Sequence, residues 1–558
     1  MADITHRHDF VTTRDGVRLA TDVYLPGGGG RVPAILQRTP YGKLGDDPVG
    51  YAEWCARAGY ACVVQDVRGR HDSDGVWEPY GLHEIADGHD TIEWITRQAW
   101  SLGAVACAGS SYGAFAAYMA ALAGHPALKA LVTRVPATGL YHRHFFHGGV
   151  FSLARLAWGT GVNRRVQQES PAGGAPRGVF EILLGENPEI LLHLPVADIG
   201  DRFPMRVPWW RTWVEHETED EYWRSREVIH RIDRVRVPVY HVGGWHDDFV
   251  SVPLANFAAA SAAHATAPAG AHRLLMGMWP HALNERADHG GIDYGPDAVI
   301  DLWEREKGWL DHWLLGRPDL LADEPPVRLF LMGVNGWRAY RRWPPETTEE
   351  RALYLRADHR LSFAPPEAEP PDAYRYDPGR PTPPPWDFGE PDLPAVPGWA
   401  PDPGARADRV LYASDPLAAP LTVIGSVVLR LYAASSARDT DWFVWVGWED
   451  PATGRTRLLT YGYCLRARFR NGFDRPEPLE PGAVVRYEID LGATARVLPP
   501  GTRLLCCIQS SCAPWFSRNL NTGGDNYRET DMMVAEQSVY HDRARPSALI
   551  LRVEPPTP

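Results

Sequence analysis

Residues 102–122 read LGAVACAGSSYGAFAAYMAAL and constrain this chain more than any other stretch. They centre on Gly109-Ser110-Ser111-Tyr112-Gly113, a G-x-S-x-G pattern with Ser111 in the middle. The apolar run 104–108 before it suits a buried parallel strand, and the Ala-rich run 114–122 after it is long enough for a helix that Gly124 and Pro126 stop. Strand, tight turn and helix in that order form the setting of a nucleophile elbow. Glycines beside the serine suit a turn that leaves no room for side chains or that needs positive φ. The same pattern also arises in ordinary strand-to-helix loops, so the rest of the chain must supply the partners that such a serine needs.

The flanking sequence predicts an α/β domain. Residues 8–25 alternate polar and apolar on both sides of Arg14-Asp15-Gly16, which predicts a β-hairpin. Strands are expected at 34–37, 60–65 and 128–135, and helices at 51–58 and 82–98. Such alternation argues for a parallel sheet covered on both faces. From 137 to 233 helical stretches dominate, at 151–158, 178–184 and 213–229, and read as an inserted helical cap. Its acidic run, 215–221, reads as a solvated helix face. Strands return at 237–242 and 272–276, and a helix at 298–314 closes the domain. Short alternating segments follow at 327–332, 422–433, 442–448, 484–491, 502–510 and 548–553, the pattern of an all-β sandwich or jelly roll. The Pro-rich stretch 364–403 reads as extended loops inside it. The expected layout is a sheet domain at 1–136 and 234–320, a cap at 137–233 and a β domain at 325–558.

Composition excludes several classes. At 558 residues the chain exceeds one core, and 44% hydrophobic with 23% charged residues is the balance of a folded protein. No apolar run reaches the length of a membrane span. A net charge of -13 argues against a nucleic-acid partner. The N-terminal stretch lacks a signal-peptide pattern, so the cytoplasm is the expected location. The seven cysteines contain no C-x-x-C pair and read as buried free thiols, with no zinc site.

A serine hydroxyl needs a histidine to take its proton and a carboxylate to orient that histidine. The strands at 237–242 and 272–276 each deliver a titratable group at the C-terminal end, the edge where open α/β sheets build their sites. Asp247 and His281 follow the order Ser, Asp, His, with Asp248 a rival acid and His246, His241 and His289 rival bases. Oxyanion donors are expected from the Tyr112 amide and from the loop after 34–37, which carries the Tyr41 phenol.

These pieces belong to a longer series: Arg38-Thr39-Pro40-Tyr41-Gly42-Lys43, Gln65-Asp66-Val67-Arg68-Gly69-Arg70 with Asp72-Ser73, Asp87-Gly88-His89-Asp90-Thr91-Ile92-Glu93-Trp94, the elbow, Gly243-Gly244-Trp245-His246-Asp247 and Gly277-Met278-Trp279-Pro280-His281. In the β half it continues through Asp439-Thr440-Asp441, Arg518-Asn519-Leu520-Asn521-Thr522-Gly523 and His541-Asp542-Arg543-Ala544-Arg545-Pro546-Ser547. The series resembles the cocaine esterase / X-prolyl dipeptidyl-peptidase family of serine hydrolases over nearly the whole chain. The resemblance implies an α/β-hydrolase domain with an inserted helical cap and a C-terminal jelly roll. It implies Ser111 as nucleophile, Asp247 as orienting acid, His281 as general base, and Tyr41 with the Tyr112 amide as oxyanion hole. It also suggests Trp158, Phe249, Trp386 and Phe388 as pocket residues. The expected reaction is acyl transfer from a small ester or amide to water with no cofactor or metal. An acyltransferase, an X-prolyl-type peptidase, or a binding protein with a silent hydrolase domain are the alternatives, and the oligomeric state is left open. Pro383-Pro384-Pro385-Trp386 replaces a Gly-rich stretch of the family, so the substrate does not carry over.

Overall fold

A polar turn with Gly16 at φ 86° folds the first two strands, Ile4–Thr12 and Arg18–Pro26, into the expected antiparallel hairpin. The computed structural model describes residues 4–156, 158–159, 162, 188–202, 207–268, 270–385, 406–460 and 463–555. Arg18–Pro26 pairs antiparallel with Ala61–Asp66. From there the sheet runs parallel through Val32–Thr39, Ser101–Ser110, Leu128–Arg134, Val239–Gly244, His272–Gly277 and Val327–Leu331, and Gly336–Tyr340 closes it antiparallel. Val327–Leu331, expected in the β half, is therefore the last parallel strand of the first sheet. Its buried apolar character fits a strand of either domain, and only its pairing with His272–Gly277 decides the matter.

Both faces of the sheet are apolar because both are covered. Ile35, Cys62, Val64 and Ala106 meet the helices Asp46–Arg57 and Leu302–Leu315. Their chain neighbours Leu36, Val63, Val105 and Cys107 point the other way, into the core under His83–Thr96 and Tyr112–Leu122. Those two helices pack very closely: a Cβ added at Gly88 would lie 2.6 Å from the Cβ of Ala120. The Ala-rich sequence of the second helix keeps its surface low enough for that approach.

The segment between Leu128–Arg134 and Val239–Gly244 forms the cap, but with shorter elements than expected. Val150–Phe151 is a strand paired with Phe146–His147, so the helix expected at 151–158 starts late. The helix expected at 213–229 is broken into Trp210–Glu215, Glu221–Arg224 and the 3-10 turn Ile229–Arg234. The Asp220 carboxylate accepts the Tyr222 amide and starts a new helical turn there. The acidic run is no solvated helix face, since Glu219 is buried and bonded to His230. The stretch 178–184 lies outside the described residues.

Among the described residues the C-terminal half is a twelve-stranded all-β assembly around the long strand Leu421–Ser435, which pairs with Val485–Leu498 and Ala548–Glu554. Asp372–Tyr376 adds a strand inside the Pro-rich stretch. The motif residues Asp439, Asp441 and Asn519 have a structural task here. Arg466 forks onto Asp441 at 2.9 and 3.1 Å, and the Asn519 amide donates to Asp439 and Asp441 at 2.9 Å each. Arg466 also donates to Tyr527, whose ring joins Phe146 and Phe151 in the core shared with the cap. All seven cysteines are free and buried, as expected. Among the described residues no helix is long and apolar enough to cross a membrane.

Gly88→Ala should cost about 1–3 kcal/mol through overpacking against Ala120, read as a lower urea or thermal midpoint, with Ala120→Gly in the same chain recovering part of the loss. An unchanged midpoint in the single variant would contradict this packing.

Candidate active site

The strand Ser101–Ser110 ends in Ser111, which holds φ 56° and ψ −118° at the start of the helix Tyr112–Leu122. A non-glycine residue reaches that region only under constraint from its surroundings. Here the Ser111 amide donates to Arg134 O at 3.0 Å, and Ser111 O accepts from the amides of Ala114, Phe115 and Ala137 at 3.1, 3.2 and 3.3 Å. Gly109 answers a need for space: a Cβ there would lie 2.3 Å from the Gly113 carbonyl carbon, whereas one on Gly113 would reach only ordinary contact, 3.4 Å from Arg38 O. The backbone strain of the turn thus sits on Ser111 itself.

Asp247 and His281 leave the C-terminal ends of two adjacent parallel strands, Val239–Gly244 and His272–Gly277. Two backbone bonds tie their loops together, Trp245 N to Gly277 O at 2.8 Å and His246 N to Trp279 O at 3.0 Å. His281 Nδ1 lies 2.9 Å from Asp247 Oδ1. An ionised carboxylate only accepts, so Nδ1 carries the hydrogen and Nε2 is left as the basic nitrogen. Asp247 is 1% exposed, and burial pushes its carboxyl up to about 6 against the pull of His281. Asp248 has the opposite balance: burial raises it, but Arg155, with a nitrogen 2.7 Å away, and His281 outweigh burial and hold it well below the usual carboxylate range.

The rival histidines are occupied elsewhere. His246 stacks on His289 and meets the Tyr294 hydroxyl at 3.1 Å, and burial followed by the charge of His289 pushes it well below its ordinary range. His241 is buried against the Tyr118 hydroxyl at 3.0 Å.

Tyr41 stands in a loop pinned at several points. Its amide donates to Thr39 Oγ1 at 3.1 Å, Arg70 Nε donates to Pro40 O at 2.8 Å, and Asp66 accepts the Lys43 amide at 2.7 Å. Trp158 Nε1 donates to the Tyr41 oxygen at 3.2 Å, so the phenol's own hydrogen must point to another group. The Tyr112 side chain faces inward and is fully buried. Its hydroxyl donates to Glu84 at 2.9 Å, and Glu84 pairs with Arg38 at 2.6 Å. Tyr112 begins its helix, so its amide is among the N-terminal groups with no acceptor inside the helix.

Phe249 lies against His281 with ring centroids 5.5 Å apart, and Trp158 Nε1 reaches the Tyr41 oxygen. Trp386 and Phe388 lie outside the described residues. Three contributors have no motif to reveal them. Arg155 joins the cap to Asp248, Glu84 anchors the elbow, and His144 is buried between Tyr80, Trp158 and Phe249. Burial, followed by the charge of Arg155, pushes His144 well below its ordinary range.

Comparison with known proteins agrees with this architecture. Residues 15–283 match the X-Pro dipeptidyl-peptidase (S15) family, and residues 320–550 match the X-Pro dipeptidyl-peptidase C-terminal non-catalytic domain. The cocaine esterase of Rhodococcus sp. (strain MB1 Bresler) is 32% identical over 97% of this chain and 97% of its own. An aminopeptidase from a marine sediment Thaumarchaeota archaeon superposes with a TM-score of 0.85 at 26% identity, covering 99% of this chain and 96% of that one. An α-amino acid ester hydrolase does so with 0.84 at 26% identity, covering 99% and 97%. With similarity running along its whole length, the chain belongs to the cocaine esterase / X-prolyl dipeptidyl-peptidase family and is a serine hydrolase.

Proposed function

We propose that the protein hydrolyses a small carboxylic ester through an acyl-serine intermediate, with Ser111 as nucleophile, His281 as general base, Asp247 as the acid that orients it, and Tyr41 with the Tyr112 amide as oxyanion donors. The observation that carries this reading is the 2.9 Å contact between His281 Nδ1 and buried Asp247, at the sheet edge where Ser111 holds its strained turn. Ser111 Oγ attacks the carbonyl carbon while His281 Nε2 takes its proton. The tetrahedral oxyanion is held by the two donors, and the alcohol leaves with the proton returned by His281. Water then attacks the acyl-serine with His281 again as base, and the acid departs as Ser111 regains its hydrogen.

A neutral acyl group suits this site better than an amino-terminal one, although two solved relatives are an aminopeptidase and an α-amino acid ester hydrolase. A free α-ammonium group needs a carboxylate beside the catalytic residues. Asp248, adjacent to Asp247, is already paired with Arg155.

Ser111→Ala should abolish hydrolysis of a chromogenic short-chain ester and labelling by a fluorophosphonate, with an unaltered circular dichroism spectrum; turnover at the wild-type rate in that variant contradicts the assignment. Tyr41→Phe should lower kcat by roughly 10² or more, the weight of one oxyanion donor, and a loss below about threefold would mean that the phenol is not aimed at the oxyanion. The pH profile should carry an acidic limb. As pH falls through the range near 6 to which burial raises Asp247, the Asp247–His281 pair takes up a proton and the base is lost. kcat/KM should then drop by about tenfold per pH unit, whereas a flat profile down to pH 4.5 would remove this pair from the mechanism.

A further inference from the structure

Two glutamates and two histidines of the cap meet in a cluster that the proposed mechanism does not use. Glu227 is fully buried; its Oε1 accepts the Tyr141 amide at 2.5 Å, while its Oε2 is shielded from solvent with no hydrogen-bond partner. His230 Nε2 stands 3.4 Å from that Oε2 and 2.7 Å from Glu219 Oε1. His142 Nε2 lies 3.3 Å from the same Glu219 oxygen. One donor atom each of His142, Glu219 and Glu227 lies within 4.8 Å of the other two. Among the described residues no lysine or arginine pairs with either carboxylate.

Two adjacent buried carboxylates require positive charge. The groups that stand beside them are the imidazoles of His142 and His230. That arrangement gives Glu227 Oε2 only the long 3.4 Å approach of His230, which does not complete a hydrogen bond. We propose that the cluster is a binding site for a divalent transition-metal ion of the Zn²⁺ type, with His142, Glu219 and Glu227 as ligands and His230 as the fourth.

The geometry suits such an ion. Metal–ligand bonds of about 2.0–2.2 Å in a tetrahedron separate neighbouring donor atoms by about 3.4 Å, against 3.3 Å for His142 to Glu219 and 3.4 Å for His230 to Glu227. The 2.7 Å contact of His230 with Glu219 is the one that must lengthen. Mixed imidazole and carboxylate donors favour Zn²⁺ or Co²⁺ over Mg²⁺, which takes oxygen ligands. The bond from the Tyr141 amide orients Glu227 from behind, as outer partners of metal ligands do. The histidine side chains, 34% and 38% exposed, leave an approach from solvent. The ligands come from the turn Leu140–Phe145, the loop after Trp210–Glu215, residue 227, and the turn Ile229–Arg234, and the Glu219 amide is bonded to Phe473 O of the β half at 2.9 Å. A bound ion would therefore clasp pieces of the cap that no regular element joins.

The test uses the full-length protein, treated with EDTA, freed of chelator and titrated with ZnCl2 and with MgCl2. Calorimetry should show one Zn²⁺ per chain at micromolar affinity or tighter, with a rise in Tm of about 2 °C or more and no effect of Mg²⁺. Co²⁺ should give visible ligand-field bands. His142→Ala, whose ring is partly exposed and whose loss the fold should tolerate, should lose both the Zn²⁺-induced shift and the Co²⁺ bands, and so should Glu219→Gln. Absence of stoichiometric Zn²⁺ binding, or an equal shift in His142→Ala, would overturn the proposal and leave an ion-pair network only. Ester hydrolysis by the chelator-treated enzyme is an independent readout of the triad, so the two readings fail separately.

Discussion

One buried carboxylate, Glu84, ties together the parts on which the active site depends. It pairs with Arg38 at the end of the strand that leads into the Tyr41 loop, and it accepts the hydroxyl of Tyr112, the residue after Ser111. Arg38 in turn donates to Gln65 Oε1, which also accepts from Thr91 in the same helix as Glu84. Charges so deeply buried are tolerated only with their partners, and removing one member of such a pair typically costs about 3–5 kcal/mol. The network thus stands or falls as a unit. Through it the two expected oxyanion donors, far apart in sequence, share one rigid mount, which is the preorganisation that charge stabilisation requires.

The motif residues divide between reaction and mounting. In the run from Gln65 to Arg70, Asp66 holds the Lys43 amide, Arg70 holds the Pro40 carbonyl and Arg68 pairs with Asp87. None needs to touch a substrate for the Tyr41 loop to depend on it. The Asp439, Asp441 and Asn519 set does the same where the β half meets the cap, through Arg466 and Tyr527. The cap adds what the sheet edge lacks: Trp158 on the Tyr41 oxygen, Arg155 on Asp248, and His144 between Phe249 and Tyr80. The cap thus brings Trp158, Arg155 and His144 against Tyr41, Asp248 and Phe249 of the loops at the sheet edge.

Much of this was legible along the chain. The elbow, both strand-borne loops and the layered sheet have strong local signals: a glycine at a turn too tight for a side chain, apolar runs buried on both faces, and titratable groups at strand ends. Where local signals are weak the expectations slipped. The stretch 213–229 looks helical by composition, but the Asp220 side chain caps a new turn and ends the first. The acidic run looked solvated, yet Glu219 turns inward to two histidines from other cap segments. Val327–Leu331 had the right residues for a strand and the wrong expected neighbour.

The sequence by itself determined the sheet class, the order of the Ser111, Asp247 and His281 loops, and the buried state of the cysteines, because each depends on short-range sterics or on the burial of apolar side chains. Tertiary structure decided which of two adjacent aspartates meets His281 and which is taken by Arg155. It also decided that Ser111 carries the strain of its turn and that His142, Glu219, Glu227 and His230 converge. These outcomes depend on through-space charge and close approach between segments distant in the chain, and no local pattern of residues encodes such distances.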